Sequence, residues 1–163
     1  MTDSDVRIEP LDEPAWSVIG PAIHSHNVDA VGDPGTEMVC FVLRDDTDEV
    51  VGGAIGEVHW GWFCLHLLWV REDLRGRGHG HELLTAAEEQ ARRLGAVHVY
   101  LDTFSFQAPD FYLSHGYEVF GELPAFPPGH ERFYMRKELA DPRDTSRDSV
   151  RGADREADRE AGA

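Results

Sequence analysis

The stretch Val70-Arg71-Glu72-Asp73-Leu74-Arg75-Gly76-Arg77-Gly78-His79-Gly80-His81-Glu82-Leu83-Leu84 decides the fold, because it carries the chain out of one regular element and into another. Before it, Phe63 to Val70 is an apolar run of strand length. After it, Leu83, Leu84, Ala87, Ala91 and Leu94 recur at helical spacing, and Gly95 stands where a helix C-cap belongs. Glu88/Arg92 and Glu89/Arg93 are i,i+4 pairs in the favourable order, expected on the outer face of that helix. Val97, Val99 and Leu101 then alternate as a strand. Strand, helix and strand at this spacing form a crossover unit whose two strands run parallel.

Working outward, Met38 to Leu43 and Val50 to Trp60 read as strands joined by the turn Asp45-Asp46-Thr47-Asp48, and with Phe63 to Val70 they form an antiparallel meander. Toward the N-terminus, Val6 and Ile8 alternate with Arg7 and Glu9 as a short edge strand closed by Pro10. Asp12 and Pro14 signal a helix start, with Trp16 and Ile19 on its inner face. Pro21 interrupts it, and residues 22–35 suggest a second short helix and a Gly/Pro loop. Toward the C-terminus, Ala108 to His115 is a short helix stopped by Gly116. Two strands follow, Tyr117 to Glu122 and Glu131 to Glu138. The expected fold is α/β (α+β mixed): one domain over residues 4–139, with about seven strands in a mixed, mostly antiparallel sheet and helices on both faces.

From Arg143 onward the chain runs in tetrads beginning Arg143, Arg147, Arg151, Arg155 and Arg159, with Val150 the largest apolar residue. Such a segment buries too little surface to offset its ordering entropy, so residues 140–163 are expected to be a solvated, disordered tail.

The chain of 163 residues carries 31 Asp+Glu against 15 Lys+Arg, a net charge of −16. At 41% hydrophobic residues it is too apolar for a disordered acidic chain. The acidity argues against nucleic acid, whose binders concentrate positive charge. Fourteen of the basic residues are Arg and only Lys137 is Lys. Abundant acid with almost no Lys resembles the proteins of salt-accumulating, halophilic cells, where short screening lengths make a large net charge inexpensive. A GC-rich genome and an ordinary acidic protein is the alternative. Cys40 and Cys64 sit in apolar runs and are expected as buried, reduced thiols. Residues 1–14 are acidic and polar, unlike a signal peptide, and no apolar run reaches membrane-spanning length, so a cytoplasmic protein is expected.

The Gly-rich junction follows a strand and opens a helix. In that geometry successive backbone N–H groups converge on one spot and the helix dipole adds positive charge, which suits phosphate or pyrophosphate. Arg71, Arg75 and Arg77 lie within seven positions on a strongly acidic chain, and this local exception points to a polyanionic ligand. No Lys follows the glycines as a Walker A loop requires, and the preceding meander does not fit a Rossmann fingerprint. The pairs His24/His26 and His79/His81 are spaced i,i+2 with no third ligand at a zinc spacing, so no metal site is expected.

The segment Arg75 to Gly80, R-x-x-G-x-G, entered from Leu68 to Val70 and followed by a Leu-rich helix, resembles the acyl-CoA-binding motif of the GNAT superfamily of N-acetyltransferases. Phe111 to Tyr117 resembles that family's F-Y-x-x-x-G-F/Y segment, and Glu131 to Leu139 its closing strand. Residues 101–112 and the loop Pro127-Pro128-Gly129-His130 resemble a common prokaryotic subgroup. The resemblance implies transfer of an acetyl group from acetyl-CoA to a primary amine, on a small molecule or a protein, by direct attack and without a metal.

It also implies roles. The backbone of Leu68, Trp69 and Val70 would pair with the pantetheine arm, with an N–H near Leu68 polarising the thioester carbonyl. Gly76, Arg77, Gly78, His79, Gly80 and His81 would hold the pyrophosphate by their N–H groups, with Arg75 and Arg77 near the phosphates. Tyr112 aligns with the family's general acid, which protonates the departing thiolate. Many relatives carry Asn where this chain has Ser105, whose shorter hydroxyl still hydrogen-bonds. The base is open: His66 alternates with Cys64 and Leu68 and would share a face with the thioester contact, while Glu57 and His59 on the adjacent strand are rivals. Asp102 is a weaker candidate for orienting the base or binding the amine. The acceptor site is expected from residues 20–35, Trp60-Gly61-Trp62 and the Phe126 to His130 loop. A non-catalytic acyl-CoA-binding module of the same fold is the alternative function, and the resemblance allows a homodimer without requiring one.

Overall fold

The computed structural model describes residues 7–139. The expected tail over 140–163, and Val6 of the expected first strand, lie outside them. The chain divides after Pro34 into two compact units.

In the first unit, Arg7 to Pro10 forms no strand. One helix, α1 (Trp16–Val31), runs straight through Pro21, where a break into two helices was expected. Proline removes one i→i−4 hydrogen bond and crowds the carbonyl four residues earlier, at Ser17. None of the residues of α1 is buried, so water can satisfy that carbonyl. The helix ends at Gly32, φ 88°, whose N–H donates to Val28 O at 2.9 Å.

The second unit is a six-stranded sheet rather than one of about seven, in the order β1-β2-β3-β4-β6-β5. Its strands are β1 (Glu37–Arg44), β2 (Val50–His59), β3 (Trp62–Val70), β4 (His98–Phe104), β5 (Glu118–Leu123) and β6 (Arg132–Glu138). Only β3 and β4 pair in parallel, joined by α2 (His79–Arg93); every other pairing is antiparallel. A short helix, α3 (Pro109–Ser114), joins β4 to β5. The β1–β2 turn is set by Asp45, whose Oδ1 accepts from Thr47 Oγ1 at 2.7 Å and from the N–H groups of Thr47 and Glu49 at 3.1 Å. These bonds, the Thr47 hydroxyl foremost, hold the Asp45 carboxyl below its usual range. The β2–β3 hairpin turns at Trp60 (φ 46°) and Gly61 (φ 77°), a two-residue turn with both residues left-handed.

The two faces of this sheet differ. On one, α2 packs across β1, β2 and β3, and Val39, Ala54, Phe63, Leu84, Ala87, Ala91, Val99 and Met135 are at most 1% exposed. On the other face Cys40 is exposed, contrary to its expected burial, because β1 places it opposite buried Val39.

Glu88 also departs from expectation. It is buried at 4% exposure rather than on the outer face of α2. Lys137 Nζ lies 2.7 and 3.0 Å from its carboxylate, the Tyr117 hydroxyl donates to it at 2.9 Å, and Arg92 stands 3.6 Å away. The chain's single lysine neutralises this buried acid. Among the described residues no helix is long and apolar enough to cross a membrane.

Candidate active site

The site exists because β3 and β4 part company. They pair only from Trp62–Cys64 against His98–Tyr100 and then diverge. Beyond that point lies a cleft of about 500 Å³. One wall is β3 from His66 to Val70; the other is Asp102 and Thr103 of β4 with Phe106, Gln107 and Ala108, and Arg75 and Tyr112 complete it.

A bulge shapes the first wall. Gly56 faces Leu65 and Ile55 faces Leu67, so His66 is an extra residue in β3. Its effect is to reverse the alternation: Phe63 and Leu65 are buried before it, Leu68 packs on the core and Val70 is buried after it, and Leu67 and Trp69 are exposed. His66 therefore does not share a face with Leu68, as strict alternation suggested. It stays with Cys64, whose Sγ lies 3.5 Å from its Nδ1. The bulge requires Gly56, because a Cβ there would run into Cys64 O and the Phe63 ring.

Past the bulge, Arg71 N–H donates to Val51 O at 2.8 Å. In an antiparallel pair the residues that bond the neighbour alternate, so Trp69 and Leu67 also spend their backbone groups on β2. Leu68 and Val70 turn theirs toward the cleft. Arg75 Nε donates to the Val70 carbonyl at 3.0 Å, which leaves the Val70 N–H and both groups of Leu68 facing open space.

The Gly-rich loop ends this wall. Gly76 (φ 73°) and Gly78 (φ 93°) adopt left-handed conformations that favour glycine, and Gly78 caps α2. No side chain caps this helix; Glu82 N–H donates to Gly78 O, so the N–H groups of residues 79–81 have no intrahelical acceptor. Arg71 is not available to an anion here, because it holds Asp73 at 2.7 and 3.2 Å and Asp45 at 3.2 Å. Arg75 and exposed Arg77 remain. His79 pairs with Glu82 at 3.2 Å, and His81 Nδ1 meets His115 Nε2 at 2.9 Å. His115 Nδ1 donates to Phe111 O at 2.6 Å.

Tyr112, on α3, is 8% exposed and belongs to the buried-face cluster while lining the cleft. Burial, with a smaller push from the Asp102 charge, raises its phenol to about 12. On the other face of the sheet, Glu57 Oε1 stands between two imidazoles, His66 Nε2 at 3.8 Å and His59 Nδ1 at 3.7 Å; of the three only His66 lines the cleft. These separations exceed a direct hydrogen bond and leave the carboxylate as a close electrostatic neighbour of both rings. Cys64 faces Glu57 on β2 and Tyr100 on β4. Burial pushes its thiol up, with Glu57 and Asp102 adding to the effect. Burial likewise raises Tyr100 to about 12. Asp102 lines the cleft, and its Oδ2 accepts from Arg132 Nε at 2.7 Å.

Of the residues expected in the site, His66, Leu68, Trp69, Val70, Arg75, Asp102 and Tyr112 line the cleft. Ser105 does not: its hydroxyl accepts from Glu131 N–H at 3.2 Å and lies 3.4 Å from His130 Nδ1. Trp62 stacks on His98 at 4.4 Å and Trp60 lies on the hairpin, both away from the cleft lining. Leu67, Thr103, Phe106, Gln107 and Ala108 also line it and were not expected there. Gln107 carried a signal: just before the Ala108-Pro109 helix start, its Oε1 accepts from Phe104 N–H at 3.0 Å and Thr103 Oγ1 at 3.2 Å. Among the described residues no three His, Cys, Asp or Glu side chains could hold a metal ion together.

Comparison with known proteins agrees with this geometry. A family model described as "Acetyltransferase (GNAT) domain" matches residues 36–119. The chain is 40% identical over 92 residues to the blasticidin-S acetyltransferase of Streptomyces morookaense, covering 56% of this chain and 68% of that one. It is 30% identical over 134 residues to an acetyltransferase of Agrobacterium fabrum, covering 82% of this chain and 98% of that one. The crystal structure of an acetyltransferase from Bacillus cereus superposes with a TM-score of 0.77 at 30% identity, covering 82% of this chain and 98% of that one.

Proposed function

This chain belongs to the GNAT family of acetyltransferases, and on that premise we propose that it moves the acetyl group of acetyl-CoA to the primary amine of a small molecule by direct attack. The observation that carries the reading is the cleft between β3 and β4, with the backbone groups of Leu68 and Val70 open on one side and Tyr112 on the other. The residues present fit acetyl-CoA. The free backbone edge of β3 suits an amide-bearing arm, and the uncapped N-terminus of α2 with Arg75 and Arg77 suits a pyrophosphate.

Each residue then has a task. The Leu68 N–H polarises the thioester carbonyl and stabilises the oxyanion that develops on it. His66 receives the proton of the attacking amine, and the Glu57 carboxylate 3.8 Å from its Nε2 steadies the positive charge it gains. Tyr112 delivers a proton to the departing thiolate. The burial that raises its phenol also disfavours a free thiolate, so the leaving sulfur is a stronger base there than in water. Names of relatives support a small-molecule acceptor, since one acetylates the antibiotic blasticidin S.

The test is steady-state transfer from acetyl-CoA to a panel of small amines, with wild type and Tyr112→Phe. General acid catalysis is worth about 100-fold or more, so Tyr112→Phe is expected to lower kcat by that factor and leave acetyl-CoA binding in place. Unchanged kcat would remove Tyr112 from the reaction, and acetyl-CoA binding without transfer to any amine would make the chain a binding module.

A further inference from the structure

We propose that the acceptor carries its amine beside a planar ring, and that Phe106 is the residue that selects it. This rests on the transfer reading above and names the class of acceptor that reading leaves open.

The cleft lining carries charge of both signs. Arg75 lines it where β3 leads into the Gly-rich loop. Asp102 lines it from β4, with one oxygen committed to Arg132, and His66 lines it from β3, with the Glu57 carboxylate 3.8 Å from its Nε2. A protonated amine is drawn to these carboxylates. Direction agrees with charge. Tyr112 comes from the α2 side of the sheet, so the leaving sulfur lies there and the amine arrives from the opposite side, that of His66, Asp102 and Phe106.

Phe106 is 55% exposed and lines the cleft, yet its ring is held in place. It lies nearly parallel to Phe104, with centroids 5.1 Å apart and planes at 12°, and makes a T-shaped contact with His130 at 5.0 Å. Phe104 is fixed in turn by Phe126 at 6.0 Å and by the Arg132 guanidinium 5.3 Å over its ring. The same Arg132 is tied to Asp102. One face of Phe106 is thus buttressed, and the ring is positioned through Arg132 relative to the acid that draws the amine. A rigid aromatic plate binds a second ring with little entropy to lose, whereas the flexible methylenes of a lysine side chain gain far less from it.

The experiment is kinetic, on the full chain with acetyl-CoA, using tryptamine and butylamine as acceptors. Wild type is expected to favour tryptamine in kcat/KM. Phe106→Leu, which keeps apolar bulk but loses the plane, and Phe106→Ala are each expected to lower the tryptamine-to-butylamine ratio about tenfold, through KM for tryptamine. Phe106→Tyr is expected to restore it, and KM for acetyl-CoA stays constant throughout. Equal use of the two amines by wild type, or no transfer to tryptamine by enzyme that binds acetyl-CoA, would overturn the proposal. So would a rise in KM for acetyl-CoA in the Leu variant, which would place Phe106 on the pantetheine arm. Absence of acetyl-CoA binding by wild type is the separate failure of the transfer reading.

Discussion

Tyr112 shows how one side chain serves the core and the site together. Its ring packs edge-on against Tyr117 at 5.6 Å within the buried cluster, while the residue borders the cleft. Burial that raises the phenol to about 12 keeps it protonated throughout the neutral range, as the proposed proton donor must be. The same shift ties stability to alkaline pH. The unfolded chain releases this proton near pH 10 and the folded chain near 12. The contribution is therefore complete below pH 10 and is lost as pH rises from 10 to 12, by about 2–3 kcal/mol. Tyr112→Phe cannot lose it. Melting temperatures followed from pH 9 to 12 should fall less steeply for that variant than for wild type, and parallel curves would show that the phenol does not titrate as described.

At the scale of elements, the bulge in β3 does most to build the site. An unbulged strand would continue the alternation of Cys64 and His66 and turn Leu68 away from the core that now holds it. The bulge depends on the glycine opposite. Gly56→Ala would drive a methyl into the Cys64 carbonyl and the Phe63 ring, backbone and core groups that cannot easily yield. The expected cost is about 1–3 kcal/mol of stability by chemical denaturation. Gly121→Ala, where a Cβ would meet Tyr134 at an ordinary 3.7 Å, is the control and should change stability little. Equal effects at the two positions would mean that the strand absorbs the methyl by shifting register. The crossover from β3 through α2 to β4 was legible in the sequence because apolar spacing and the Gly-rich junction report on local geometry. The bulge was not, because a single inserted residue leaves no mark on an apolar run such as Phe63 to Val70. Pro21 misled for the converse reason: proline weakens a helix, but an exposed helix can lend the freed carbonyl to water. Glu88 misled because its i,i+4 partner Arg92 fitted an exposed pair, while the lysine that allows its burial comes 49 residues later.

Across the whole molecule, charge and topology point to the same cleft. Residues 1–139 carry 24 acids and 10 bases, so the acidity belongs mainly to them and not to the last 24 residues. Against that background the cations of the Gly-rich junction stand out, with Arg75 in the cleft lining, while Arg71 is consumed by Asp45 and Asp73. The cleft lining comes from β3, β4, α3 and the segments beside them, and the splay of β3 from β4 brings Tyr112 and His66 to one opening. The thiol of Cys64 stands beside it, 3.5 Å from His66 Nδ1, and burial, with Glu57 and Asp102 adding to it, disfavours its thiolate. An acetylated Cys64 is therefore not expected on the path, and the proposed direct attack has the amine meet the thioester while both substrates are bound. Initial velocities over a matrix of acetyl-CoA and amine concentrations test this most directly. The account predicts double-reciprocal lines that intersect to the left of the axis, as a ternary complex requires. Parallel lines, with acetyl recovered on Cys64 by mass spectrometry when amine is withheld, would contradict it.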